Sequence, residues 1–200
     1  MEYLTVENLK KCNLNAVISD RCTQFYWLCY NCIYRKFTME TIKYCLEDAK
    51  CDLNFRRDKD STTPFYWLCK YYDTNGFNLE MMKYCIESGN IDTNTIIRQY
   101  SLFNTLCFAI RFSKNDQLPF LKYLLSIGAD INMICLGVTS FTWVCNNKRY
   151  LKYLGKNKKI NQETLNLALN ESKFKLSQEH YVKYFKETYN VEESPNIILY

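Results

Sequence analysis

The chain has 200 residues, of which 48% are hydrophobic and 24% are charged, a balance typical of folded globular proteins that excludes a disordered chain. Its 5 glycines and 3 prolines are few for a sandwich or barrel with many tight turns, so a helical fold is expected. The net charge of +5 is modest and acidic residues are interspersed with basic ones, which favours a mixed solvated surface over a nucleic-acid footprint.

The first residues show no basic segment followed by an apolar run, and no stretch approaches the roughly 18–20 apolar residues of a membrane span. We therefore expect no signal peptide, no membrane association and a cytoplasmic location. In a reducing compartment the 11 cysteines are predicted to be buried thiols, because Cys packs as a small apolar side chain. Val6, Leu9 and Cys12 lie at roughly helical spacing and predict a leading half-unit.

The most informative feature of the chain is an internal repeat. Residues 22–54 and 62–94 align without a gap at an offset of 40 residues, opening with CTQFYWLC and TTPFYWLC. A third copy is predicted over 105–132, a shorter fourth over 139–161, and a faint fifth follows. A Lys-Tyr pair marks the second half of each copy, with its lysine at Lys43, Lys83, Lys122, Lys152 and Lys183.

Each copy is predicted to form two helices. A threonine precedes a short apolar run, where its hydroxyl can cap the helix start. After a polar connector, the second segment has spaced apolar residues such as Met82 and Cys85 and ends at a glycine such as Gly89. One such helix pair cannot bury its own apolar faces, so neighbouring copies are expected to stack.

Two segments carry a resemblance to a known family. The sequence LKYLLSIGADIN at 121–132 resembles the second helix and ending of an ankyrin repeat, and DKDSTTPFY at 58–66 resembles the hairpin and opening of that repeat. The likeness to the ankyrin-repeat family covers 20–161 and continues weakly over 162–190. It is of the divergent type carried by large DNA viruses, protozoa or intracellular bacteria. The implied fold class is all-α, an ankyrin-like solenoid of helix-turn-helix repeats with short hairpin loops.

The resemblance implies one repeat domain over 1–200. It comprises an N-terminal cap over 1–20, four ankyrin-like repeats over 21–161, and a degenerate fifth repeat with a C-terminal cap over 162–200. It also implies a non-enzymatic, monomeric module without a cofactor that binds a partner protein of unknown identity through a concave repeat surface, with a host-interacting effector as one form of that role. By position in the repeat, the predicted contact residues are Tyr30, Asn31, Lys59, Asp60, Thr62, Lys70, Tyr71, Ser101, Leu102, Phe112, Asn146 and Asn147.

Two alternative functions remain open from the sequence. Cys22, Cys29 and Cys32 include a Cys-x-x-Cys spacing that can bind a metal or exchange thiols, although the recurrence of Cys29 as Cys69 favours packing. The lone His180 is expected at the surface, and no catalytic or metal residue is assigned. Nucleic-acid binding would use the basic residues of 148–159, while the repeating tryptophans are interpreted as packing residues.

Overall fold

The computed structural model describes residues 2–73, 77–112, 117–144, 150 and 153–154. The α-helices of these ranges follow one another in chain order as α1 Val6–Lys10, α2 Gln24–Tyr30, α3 Met39–Lys43, α4 Pro64–Lys70, α5 Leu79–Ser88, α6 Leu102–Phe112, α7 Leu118–Ser126 and α8 Ser140–Val144. A 3₁₀ turn lies at Cys32–Tyr34, and α3 continues as a π-helical segment over Tyr44–Asp48.

Short strand pairs separate the helices. Their bounds are β1 Glu2–Tyr3, β2 Val17–Ser19, β3 Cys22–Thr23, β4 Arg35–Lys36, β5 Ile96–Ile97, β6 Tyr100–Ser101, β7 Ile134–Cys135 and β8 Val138–Thr139. The pairs β2–β3, β5–β6 and β7–β8 are antiparallel hairpins. The pair β1–β4 is parallel and sets Glu2 opposite Arg35 and Tyr3 opposite Lys36. The N-terminal strand therefore attaches to the connector of the first copy.

The predicted all-α fold class is wrong. About 51% of the structure is helical, but about 10% lies in short antiparallel strand pairs, so the described part of the chain is mixed α/β and no solenoid is identified in it. The physical reason is the β-branched residues between copies, such as Ile96 and Ile134, which favour an extended backbone. Positive φ angles at Arg98 and Leu136 close two of the hairpins.

The first helices of the first two copies begin as predicted. The hydroxyl of Thr23 accepts a hydrogen bond from the backbone N–H of Tyr26 at 3.1 Å, and the hydroxyl of Thr63 accepts one from Tyr66 at 3.0 Å. In the third copy, the hydroxyl of Ser101 accepts from the backbone N–H of Asn104 at 2.9 Å, and α6 begins at Leu102. The sequence-based opening at residue 105 was therefore three residues too late.

Four equivalent phenylalanines anchor the first helices to the turns that precede them in the chain. The backbone N–H groups of Phe25, Phe65, Phe103 and Phe141 donate to the carbonyls of Leu14, Leu53, Thr93 and Ile131 at 2.9, 3.2, 2.7 and 3.3 Å, in that order. All four rings are buried. Around them α2 packs on α4, α4 on α6, and α6 on α8, while α3 packs on α5. This common anchor defines equivalent positions in the four copies.

The recurring Lys-Tyr pairs connect neighbouring copies. The ammonium of Lys43 lies 5.7 Å from the centre of the Tyr84 ring, and that of Lys83 lies 4.8 Å from the ring of Tyr123. The Tyr123 hydroxyl also donates to Glu87 Oε1 at 3.0 Å. Burial and this hydrogen bond raise the pKa of Tyr123 to about 12. Each lysine therefore packs on the tyrosine of the following copy, which explains why the two residues recur together.

Among the described residues, no helix has the length and apolar character needed to cross a membrane.

Candidate functional site

A row of aromatic rings lies along α2 and α4. The ring of Tyr30 contacts Trp27 with centres 5.2 Å apart and Trp67 with centres 4.6 Å apart, both edge to face. Trp67 also meets Tyr66 at 5.1 Å and stacks on Tyr71 at 6.2 Å. Trp67 is buried, whereas the other four residues are at least partly exposed. We call these five residues the aromatic patch.

A buried hydrogen-bond network holds the patch in place. The indole N–H of Trp67 donates to the Tyr26 hydroxyl at 2.9 Å, and that hydroxyl shares a 2.7 Å hydrogen bond with Thr62 Oγ1. The Thr62 hydroxyl also bonds Asp60 Oδ1 at 2.7 Å. Because Tyr26 and Thr62 are fully buried, this network works without competition from water. This buried hydrogen-bond network therefore fixes the orientation of the Trp67 ring.

A lysine lies on top of the aromatic patch. The ammonium of Lys70, at the last residue of α4, is 4.9 Å from the ring centre of Trp67 and 5.7 Å from that of Tyr71. Lys70 is exposed, and no carboxylate of the described residues forms an ion pair with it. Burial raises the pKa of Tyr71, so its hydroxyl stays protonated at neutral pH. The patch therefore presents one cation and several aromatic rings to solvent.

Beside the patch, the turns between copies are joined by ion pairs. Arg57 pairs with Asp20 at 2.5 Å and with Asp60 at 3.8 Å, and Arg98 also pairs with Asp60. The guanidinium of Arg57 lies 5.5 Å from the ring centre of Trp27. Burial acts to raise the pKa of Asp60, but hydrogen bonds from Thr62 and Arg98 outweigh it and leave that pKa below its ordinary value. These charges satisfy one another, which indicates a structural role.

A second aromatic contact lies on α6 and α8. The ring of Phe108 meets Trp143 edge to face with centres 5.0 Å apart, and the Trp143 indole N–H donates to Asn104 Oδ1 at 2.9 Å. Phe108 is 43% exposed. Between this contact and the aromatic patch, α6 presents the smaller, half-buried residues Thr105 and Ala109.

The predicted contact residues divide by exposure. Those with exposed or partly exposed side chains are Tyr30, Asn31, Lys59, Asp60, Lys70 and Tyr71. The side chains of Thr62, Ser101 and Leu102 are buried, and a contact between them and a partner stays a prediction. Thr62 belongs to the network beneath the patch, and Ser101 caps α6. The side chain of Phe112 and all of Asn146 and Asn147 lie outside the described residues.

Sequence reasoning missed three aromatic residues of this surface, the half-buried Trp27 and Tyr66 and the exposed Phe108. A signal for the first two was present, since Trp27 recurs as Trp67 and Tyr26 as Tyr66 at an offset of 40. The repeat was interpreted as packing, and burial of Trp67 agrees with that interpretation. Trp27 itself is only half-buried.

The cysteines singled out by spacing are packed thiols. Cys22, Cys29 and Cys32 are buried; burial raises the pKa of Cys29 well above its ordinary value and that of Cys32 to about 12. The Cys32 thiol donates to the Trp67 carbonyl at 3.9 Å. Metal binding and thiol exchange require a thiolate, which these surroundings disfavour. Within the described ranges, no group of three or more His, Cys, Asp or Glu side chains is arranged to hold a metal ion.

The remaining residues that the sequence singled out lie largely outside the described part of the chain. His180 and most of 148–159 are outside the described residues, so the nucleic-acid alternative stays a prediction. No family profile, curated protein or solved structure matches the chain. The ankyrin-repeat resemblance likewise stays a prediction from the motifs of the sequence.

Proposed function

We propose that the chain is a non-enzymatic interaction module that binds a partner protein through the aromatic patch. The observation that carries the proposal is the rigid patch itself, in which the exposed rings of Tyr30 and Tyr71 contact a central Trp67 held by a buried hydrogen bond. Tyr and Trp provide much of the binding energy at protein interfaces, because a rigid ring buries a large area at a small entropy cost.

The chemistry of the surrounding groups supports a binding role over catalysis. The shifted pKa values belong to buried thiols, to packed tyrosines and to ion-paired residues such as Arg57 and Asp60, and each shift has a packing or pairing cause. A catalytic site instead needs an activated nucleophile or a general base beside a reacting atom. We further propose a divergent ankyrin-repeat affiliation and a cytoplasmic location, including the cytoplasm of a host cell.

The proposal is tested by capturing partners on the immobilised full chain and measuring the affinity of each captured protein. We expect the double variant Tyr30→Ala, Tyr71→Ala to lose at least about tenfold in affinity, since hot-spot truncations cost about 2 kcal/mol or more. Ile127→Ala is the matched control, because Ile127 is 43% exposed at the end of α7. A stoichiometric partner that binds the double variant as tightly as the wild type would show that the patch is not the interface.

A further inference from the structure

Contacts between aromatic rings of neighbouring copies recur along the first helices and are interrupted at one place. The residue near the end of each first helix contacts the tryptophan of the next copy, as Tyr30 contacts Trp67 and Phe108 contacts Trp143. Counting from the buried phenylalanine anchors, the corresponding residues between the second and third copies are Lys70 and Thr105. The row is therefore interrupted between α4 and α6, where neither position carries a ring.

The place of the interruption has a distinct composition. Thr105 and Ala109 are small and half-buried, and Phe108 on the same helix is 43% exposed. Lys70 has no tryptophan of the next copy to contact and lies over Trp67 of its own copy instead. Helices α4 and α6 pack directly on each other, so this interruption and Lys70 belong to one continuous surface.

We propose that the interruption at Thr105 is the anchoring subsite of the interface, where a large apolar side chain of an acidic partner peptide binds while a neighbouring Asp or Glu of that peptide pairs with Lys70. This inference rests on the proposed function. Interface anchors are typically large side chains that enter well-packed recesses, and a ring at Thr105 completes the aromatic row.

Charge favours an acidic peptide as the occupant. Lys70 has no ion-pair partner among the described residues, and a carboxylate beside it gains a salt bridge over an aromatic surface. Lys70 is thus the cation that an acidic residue of the peptide meets beside the aromatic patch.

A nucleic-acid strand fits this surface less well. A strand carries one phosphate per nucleotide and needs cations along its whole path. In the turns beside the patch, Asp20 and Asp58 are paired with Arg57 and Arg21, so these turns add no net positive charge for phosphates. A peptide can place a single carboxylate at Lys70.

The test uses three pools of labelled 12-residue peptides, each with one central Trp, flanked by Asp and Glu, by Ser and Asn, or by Lys and Arg. Fluorescence polarisation measures their binding to the full chain. We expect the acidic pool to bind most tightly. Thr105→Trp, which restores the residue type of the other copies, and Lys70→Glu should each weaken it by about tenfold or more. Lys122→Glu makes the same charge change on α7 and should leave binding unchanged.

The outcomes separate the inference from the proposed function. The inference is wrong if the acidic and neutral pools bind equally well, or if Lys70→Glu does not weaken binding of the acidic pool. The proposed function is still supported in that case if the variant Tyr30→Ala, Tyr71→Ala loses its captured partner. If none of the three peptide pools binds, the inference is wrong. The proposed function is wrong as well only if the variant Tyr30→Ala, Tyr71→Ala still binds its captured partner. If oligothymidylate binds more tightly than the acidic pool, and Lys70→Glu abolishes that binding, the ligand of this surface is single-stranded nucleic acid and not a peptide. If Thr105→Trp lowers the helical circular dichroism signal, Ala109→Leu adds apolar volume at the neighbouring half-buried position instead and should weaken binding of the acidic pool in the same way.

Discussion

Removing one buried hydroxyl should measurably destabilise the protein. In Tyr26→Phe, the indole N–H of Trp67 loses its acceptor at 2.9 Å, and Thr62 loses a partner at 2.7 Å but keeps Asp60. Trp67 is 5% exposed and Tyr26 is fully buried, so water cannot replace the lost hydroxyl without a rearrangement. The ring of residue 26 otherwise keeps its packing.

The magnitude follows from the groups left without a partner. A buried donor without an acceptor costs about 1–3 kcal/mol, and the Thr62 hydroxyl, which keeps one partner, adds at most about 1 kcal/mol. We therefore expect Tyr26→Phe to lower the free energy of unfolding by about 1–4 kcal/mol. Tyr66→Phe is the matched control at the equivalent position of the next copy, where the tyrosine is only half-buried, and should cost less than about 1 kcal/mol.

Urea denaturation followed by circular dichroism and by tryptophan fluorescence measures both variants. Coincident transitions from the two probes justify a two-state free energy. The hydrogen-bond network beneath the patch does not hold Trp67 if the free energy of unfolding of Tyr26→Phe is within about 0.5 kcal/mol of the wild-type value. The same conclusion follows if Tyr26→Phe lowers this free energy no more than Tyr66→Phe does.

Three further predictions concern other parts of the fold. Because the pKa of Asp60 is lowered in the folded state, its ion pairs stabilise the protein above the ordinary pKa of Asp, and this contribution is lost as pH falls through the lowered value. In unfolding curves, the free energy of unfolding should therefore fall less between pH 6 and pH 3 in Asp60→Asn than in the wild type. Because the pKa of Tyr123 is raised to about 12, its contribution is present below its ordinary pKa near 10 and is lost as pH rises towards 12; ultraviolet titration of Tyr123→Phe should show one late-ionising tyrosine fewer than the wild type, in which the pKa of Tyr72 is also raised. Gly89→Ala places a Cβ 2.7 Å from the Cys85 carbonyl oxygen and 2.9 Å from Leu53 Cδ1, so thermal unfolding should reveal a loss of about 1–3 kcal/mol, and an unchanged midpoint would contradict this packing.

The sequence by itself determined the local parts of the fold. The threonine caps at Thr23 and Thr63 lie where the predicted helices begin, because a cap depends only on residues within one turn. The Lys-Tyr repeat located the second helices, and the offset of 40 residues identified equivalent positions in the first two copies. Tyr30 and Lys70 are both exposed, and their contact with a partner stays a prediction.

Only the tertiary structure decided how the copies contact one another. The hydrogen bond that joins buried Thr62 to Tyr26 spans 36 residues, and the parallel pairing of β1 with β4 sets Glu2 opposite Arg35, so a local pattern specifies neither contact. The same holds for the central feature of the proposed interface. A tryptophan motif predicts a packed ring, but whether that ring is covered, as in Trp67, or faces solvent, as in Trp27, depends on which side chains the neighbouring helix brings to it.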